Sequence, residues 1–383
     1  MITWILSSIS AMLLSILFAG ILIPQILLVS FRRRLFDEPD ERKIHKGAVP
    51  RLGGIAFTPV ICFSVSLILG LAYLVGDKSV ECAMSDNARA VAFGYCSLLM
   101  LYLVGMADDL IGVRYRAKFV AQIICAVLVI AGGLWINNLH GVFGLHHISP
   151  FLGVPLTILI VVYVINAINL IDGIDGLASG LSSVAFILYG VTFLLIGKPV
   201  YAMISFSALG VLLQFFYYNV FGNPEKRKKI FMGDTGSLTI GLLLVFLGLT
   251  ILQYAPETIP VFGTNALILA LSPLIIPCFD VVRVFFRRII RHGNPFLPDK
   301  THIHHKILAI GFQQRTAMSL LVLSATLFSV FNIVLSKYIE VNILLLLDIA
   351  AWTLSNNFLT KMRLKHEAKV KEAEENHTKN SNP

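Results

Sequence analysis

The chain is a succession of apolar runs, each long enough to cross a bilayer, joined by short loops that hold nearly all of its charge. In hydrocarbon every backbone N–H and C=O must find its partner inside the protein, so runs of this kind are forced into helices. A spanning helix needs roughly 20 apolar residues. About eleven runs meet that length, at approximately 2–29, 53–76, 88–107, 118–136, 152–171, 180–197, 199–220, 236–254, 262–285, 317–336 and 339–360. Only 14% of the 383 residues are charged, against roughly 25% in a soluble domain. A soluble enzyme with a single anchor is thereby excluded, and an all-α polytopic membrane protein is expected.

The loops orient it. All 31 Lys and Arg except Lys78, Arg89, Lys198 and Lys337 fall in one alternate set of loops and the C-terminal tail. Cytoplasmic loops carry the excess of Lys and Arg, so that set faces the cytoplasm. An odd number of spans then leaves the N-terminus outside and the C-terminus in the cytoplasm. The net charge of +9 is on this reading a topology signal, not a nucleic-acid footprint. The first run has no basic residue before it and is too long for a signal-peptide core, so a retained span is expected. Five scattered cysteines with no CxxC pair give neither a disulfide framework nor a thiolate metal site. Residues 1–360 are expected to form the membrane domain. Residues 361–383, mixed in charge and without an apolar face, form a cytoplasmic tail, either a solvated helix or disordered.

The polar residues that look chemical all lie on the inner side. Asp108-Asp109 closes the third run, and adjacent carboxylates at a membrane end call for a cation or a nearby base. Lys118 opens the next run; it is also placed to be a snorkelling anchor. Asn166-Ala-Ile-Asn169-Leu-Ile-Asp172-Gly-Ile-Asp175-Gly puts Asn166 and Asn169 on one helix face before Gly173 and Gly176 turn the backbone. No Lys or Arg accompanies these groups in that loop, so their partner must come from elsewhere. Phe231-Met-Gly-Asp234-Thr-Gly-Ser237 precedes the eighth run: Asp234 is an oxygen ligand suited to Mg²⁺, and the amides from Gly236 and Ser237 onward are a candidate anion site. Alone, this segment also reads as a helix cap. His302, His304 and His305 follow a basic stretch containing Arg283, Arg287, Arg288 and Arg291; with no HExxH motif or Cys partner, phosphate fits better than zinc. Asp280 and Arg283, three apart, read equally as a structural pair or as part of a site. Lys46 and Arg51 add positive charge to the first inner loop, ahead of Gly53-Gly54.

In this order and combination, the four central motifs resemble the polyprenyl-phosphate N-acetylhexosamine-1-phosphate transferases, over roughly residues 1–360. Val49-Pro-Arg-Leu-Gly-Gly and His302-Ile-His-His are similar to the bacterial branch that acts on undecaprenyl phosphate and GlcNAc (the WecA and TagO branch). Ile303, which interrupts the histidines, sets the chain apart from the branch that takes UDP-MurNAc-pentapeptide. The resemblance implies Asn169 and Asp234 as metal ligands for Mg²⁺ or Mn²⁺, and Asp108, Asp109, Lys118 and Asp172 as catalytic groups. It implies Lys46, Asn166, Asp175, Phe231, His302, His304 and His305 as substrate contacts, with Phe231 stacking on uracil, Asp175 beside it and Lys118 on the pyrophosphate.

The expected reaction transfers GlcNAc-1-phosphate from UDP-GlcNAc to undecaprenyl phosphate, releasing UMP. It would be the first membrane step of a cell-surface polysaccharide such as O-antigen or teichoic acid, at the bacterial inner membrane, with the site facing the cytoplasm. The expected partners are the UDP-sugar donor, the polyprenyl-phosphate acceptor and the bilayer, with no nucleic acid; a homodimer is left open. Direct attack by the lipid phosphate is expected, with an aspartyl-phosphate route as the alternative. Another UDP-N-acetylhexosamine donor is the nearest competing reading. A secondary transporter is the competitor from another class, and it is disfavoured because Asp348 is the lone acid near the middle of a run.

Overall fold

The computed structural model describes residues 2–35, 49–256, 258–259, 263–290 and 302–380. Among the described residues ten helices, one of them interrupted by a turn, are long and apolar enough to cross a membrane. In chain order the helices are α1 (Ile2–Arg33), α2 (Phe57–Leu74, entered through the 3₁₀ turn Gly53–Ala56), α3 (Lys78–Ile111), α4 (Tyr115–Ala131), α5 (Pro150–Ile171), α6 (Leu177–Leu195) and α7 (Pro199–Val220). They continue with α8 (Gly233–Tyr254), α9 (Ala266–Leu271), α10 (Ile275–Ile290), α11 (Ile303–Ala309), α12 (Gln314–Leu335) and α13 (Val341–Asn380). A two-strand hairpin pairs Thr258–Ile259 with Thr264–Asn265.

Several expected boundaries shift, each for a local reason. The outer loop expected at 77–87 is helix: Asp77 accepts the Ser79 amide at 2.9 Å as an N-cap, and α3 starts one residue later. The run expected at 262–285 begins instead with the hairpin, and Pro273 sits in a 3₁₀ turn between α9 and α10. α13 passes position 360 without a break. The run expected at 118–136 becomes α4, of 17 residues. Its start meets the end of α3, where Lys118 reaches Asp108, and its end lies beside the N-terminal half of α3, where Arg89 donates to the carbonyl of Ala131 at 2.8 Å. α4 therefore runs back along α3 and returns the chain to the far end before α5.

α8 is the axis of the bundle, with 94% of its central window buried. Lipid tails give helices no hydrophobic reason to associate, so close approach through small residues takes that role. A Cβ on Gly241 would lie 2.8 Å from the Cα of Ile165 on α5, and one on Gly105 of α3 would lie 2.6 Å from the Cα of Thr235. One on Gly54 would lie 2.0 Å from the amide nitrogen of Gly236. The α1–α7 pair is similar: a Cβ on Gly210 would lie 2.4 Å from the carbonyl of Met12, and Ser15 and Ser207 share a buried hydroxyl hydrogen bond of 2.7 Å. The C-terminal ends of α3, α5, α7 and α10 and the N-terminal ends of α4, α6, α8 and α12 meet at one end of the bundle.

Gly54→Ala forces backbone against backbone, which no side-chain rotation relieves. It is expected to cost about 1–3 kcal/mol or more and to lower the thermal midpoint of the purified protein. Gly70→Ala, with nothing within 4 Å of the added carbon, is expected to leave the midpoint within a degree or so of wild type. Equal midpoints for both variants would refute this packing.

Candidate active site

The site is assembled on the first turn of α8. Gly233 adopts φ +72°, and a Cβ there would lie 2.0 Å from the carbonyl oxygen of Arg51. Residues 50–54 run alongside: Phe231 donates its amide to Pro50, and Gly53 and Gly54 donate theirs to Phe231 and Met232, at 2.9–3.0 Å. Asp109, arriving from α3, accepts the amides of Asp234 at 2.8 Å and Thr235 at 2.9 Å, together with the Thr235 hydroxyl. A carboxylate at a helix N-terminus answers both its unpaired N–H groups and its dipole. The amides expected from sequence to receive an external anion lie elsewhere: Gly236 is covered by the backbone of Gly54, and the anion at this terminus is Asp109 itself.

Asp108, the neighbouring residue, faces another way. It accepts the amide of Val113 at 2.6 Å and pairs with Lys118 at 2.9 Å. Lys118 also reaches Asp234 at 3.6 Å. Asn169, near the end of α5, donates to Asp234 at 2.5 Å and to Ser237 at 2.8 Å. Asp108, Lys118, Asn169 and Asp234, from four helices, thus form one cluster. Asp234 is its open member: its side chain is 30% exposed, against 9% for Asp108. Asp172 caps the end of α5, with Asp175, Asp234 and Asp109 close enough to raise its pKa and Arg51 close enough to lower it. Burial, followed by those neighbouring carboxylates, pushes Asp172 up to about 7. Asp108 and Asp234 share the single charge of Lys118, and Arg51 acts on Asp172. Asp234 and Asn169 can offer oxygen to a hard cation, the amide after rotation. Among the described residues no group of three His, Cys, Asp or Glu is arranged to hold a metal, so a cation here would need ligands from substrate or water.

Asn166 does not join the cluster. It donates to Gln122 on α4 and to the carbonyl of Val162, both at 2.7 Å, one turn deeper in the bundle. Asp175 finds the basic partner that its own loop lacks: Lys229 pairs with it at 2.6 Å. The pair borders a cavity of about 380 Å³, lined also by Gln313, Gln314 and Arg315. Phe231 is half-buried beside Pro50, on the strand-like approach to α8.

The histidine segment reaches the same end through α11. His304 is 1% exposed and abuts Gly173, where an added Cβ would lie 2.2 Å from Nε2. Among the described residues neither ring nitrogen of His304 has a hydrogen-bond partner. Burial and the neighbouring His305 push its pKa down to about 3, so the ring is neutral where it meets the Gly173 turn. His302 pairs with Asp280 at 2.8 Å, and the His304 and His305 rings lie 4.2 Å apart. Lys306, brought down to about 8 by burial and by Arg283 and Arg287, donates to Asn356 and Thr360 on α13. Lys46 lies outside the described residues. Sequence reasoning missed Gln122, Lys229, Thr235 and Ser237 as partners. Gln122 carried a usable signal, an amide on an otherwise apolar run; Lys229 carried none, because its partner is 54 residues away.

The glycosyl transferase family 4 profile matches residues 91–252, a stretch that holds the whole α3–α4–α5–α8 cluster and leaves out Lys46, His302, His304 and His305. The chain is 32% identical over 308 residues to the undecaprenyl-phosphate alpha-N-acetylglucosaminyl 1-phosphate transferase of Escherichia coli (strain K12), covering 79% of this chain and 77% of that protein. The protein of the same name in Salmonella typhi is 31% identical over 327 residues (84% and 82%). A probable undecaprenyl-phosphate N-acetylglucosaminyl 1-phosphate transferase of Bacillus subtilis is 30% identical over 328 residues (85% and 84%). With that coverage, and with the aspartate pair, the Asn-Asp segment and the α8 entry gathered at one end of a helical membrane bundle, the chain belongs to the polyprenyl-phosphate N-acetylhexosamine-1-phosphate transferase family.

Proposed function

We propose that this protein transfers GlcNAc-1-phosphate from UDP-GlcNAc to undecaprenyl phosphate, giving undecaprenyl-diphosphate-GlcNAc and UMP at a cytoplasm-facing site of the bacterial inner membrane. One observation carries the reading: Asp108, Lys118, Asn169 and Asp234 come from four separate helices and meet within hydrogen-bonding or ion-pairing distance at one end of the bundle. A soluble anionic donor and a lipid phosphate can meet only at such a boundary. The oxygen ligands Asp234 and Asn169 would hold Mg²⁺ or Mn²⁺, which neutralises diphosphate charge and improves UMP as a leaving group.

The acceptor phosphate oxygen attacks the sugar-linked phosphorus, and the bond to the UMP oxygen breaks. Lys118 lies between Asp108 and Asp234 and supplies positive charge to phosphoryl oxygens as they gain charge. A phosphate monoester has a second pKa of roughly 6, so little base strength is needed at neutral pH. Asp108 orients the acceptor. Asp172, with a pKa of about 7, is suited to exchanging a proton near neutrality. Asp109 already accepts three hydrogen bonds, which supports direct transfer over a phosphorylated Asp109. An aspartyl adduct trapped with labelled donor alone would reverse that preference.

The same reading makes α4 the eleventh span, with the loop 222–229 and the tail inside. In spheroplasts, an impermeant maleimide is expected to label Cys82 in a variant keeping only that cysteine, and to label a Glu225→Cys variant only after lysis. The reverse pattern would invert the topology.

Membranes given Mg²⁺, undecaprenyl phosphate and sugar-labelled UDP-GlcNAc are expected to yield labelled lipid and unlabelled UMP. Asp234→Ala is expected to abolish the product, and Lys118→Met to lower kcat on the order of 100-fold. Wild-type turnover in Asp234→Ala would remove that residue from the site.

The pH dependence has a defined sign. Asp172 holds its proton in the folded chain up to about 7, against the ordinary 3.8. Its contribution to stability is therefore full below the ordinary value and is lost as pH rises through about 7. Asp172→Asn is expected to match wild type in thermal midpoint near pH 4 and to exceed it at pH 8. A gain that is constant across that range would contradict the assignment.

A further inference from the structure

Asp280, on α10, has no exposed surface and belongs to none of the motifs placed above. Its carboxylate is shared among Arg283 Nη2 at 2.8 Å, His302 Nδ1 at 2.8 Å and the amide of Ile303 at 3.1 Å. Beside a guanidinium and a backbone donor it is ionised, and an ionised carboxylate only accepts. The proton of His302 therefore sits on Nδ1, and Nε2 is the nitrogen left for other chemistry. The His302 ring lies parallel to that of His304, centroids 5.9 Å apart and planes 7° apart. His304 in turn seats against Gly173, in the turn between Asp172 and Asp175, with neither ring nitrogen partnered among the described residues. A buried aspartate on a membrane helix is thus joined, through two stacked imidazoles, to the carboxylate turn of the site.

We propose that Asp280 is a positioning residue for the histidine segment. It fixes the tautomer of His302 and pins the first amide of α11, so that His304 is held over the Gly173 turn. The inference rests on the transferase reading, because that turn is part of the proposed active site. The competing account is an ion pair with Arg283 that merely holds α10 in shape.

The test is a double-mutant cycle in nanodiscs, with UDP-GlcNAc and undecaprenyl phosphate as substrates, reading kcat, the donor KM and the thermal midpoint. Asp280→Asn presents a donor to Nδ1 and is expected to lower kcat on the order of 10–100-fold, with the donor KM within about threefold. In a His302→Ala background the same substitution is expected to cost less than about twofold, because the interaction it breaks is already gone. An equal cost in both backgrounds would overturn the proposal in favour of the shape-holding ion pair. Should Asp280→Asn not accumulate, Gly173→Ala displaces His304 from the opposite side and is expected to lower kcat in the same way; wild-type kcat in that variant would also overturn the proposal. If the wild-type protein makes no lipid-linked product, it is the transferase reading that fails. The clamp is then read from ¹⁵N-histidine spectra: an Nδ1-protonated His302 that is lost in Asp280→Asn supports it, and an unchanged tautomer refutes it.

Discussion

Asp109 accepts three hydrogen bonds from the first turn of α8, and the rest of the site is built outward from that contact. A helix starts with N–H groups that have no partner within it, and at a membrane boundary between packed helices little water is available to satisfy them. A carboxylate from α3 does so here. The same contact fixes the rotation of α8 about its axis, because two of its donors are the consecutive amides of Asp234 and Thr235. With that rotation set, Asp234 is turned toward Asn169 and Lys118. Gly54 and Gly105 allow the approach: a methyl group on either would collide with backbone atoms of α8.

Polar groups at the end of a membrane bundle are costly unless each has a partner, and the partners divide the cluster into layers. Asn166 donates to Gln122 one turn inside the bundle and ties α5 to α4. Asp108, Lys118, Asn169 and Asp234 form the layer at the opening, where Asp234 keeps the most exposed side chain of the carboxylates paired with Lys118. Asp175 and Lys229 close the side formed by the loop after α7. A charged ligand entering the opening layer exchanges existing ion pairs for new ones. The carboxylates there are already held in place, which is the preorganisation that phosphoryl transfer draws on.

The histidine segment approaches from the other side, on a short helix between two spans. Its central ring, His304, is buried against a glycine and kept neutral. Three histidines close in sequence therefore do three different things: His302 meets a buried carboxylate, His304 packs on the Gly173 turn, and His305 is half-buried beside it. Lys306 continues the pattern by anchoring α11 to Asn356 and Thr360 of α13. The last helix is thus coupled to the site through packing at the membrane surface, although no motif lies on it.

The sequence by itself determined the class of fold, because the length and apolarity of the runs leave helices as the only way to pair the backbone in lipid. It also singled out the polar segments at the ends of apolar runs, since amides and carboxylates there are costly unless partnered. It misjudged the start of α3 and the break between α9 and α10, where a single cap and a single proline decide. Only the tertiary structure decided what each group faces. Asp108 and Asp109 are neighbours in the chain, yet consecutive residues on a helix point about 100° apart, so one meets Lys118 and the other caps α8. Lys229 and Asp175, or Asp280 and His302, are joined across distances along the chain for which no local periodicity exists. Those partnerships follow from how helices cross, and crossing is set by glycines and buried caps whose contacts form only once the bundle has closed.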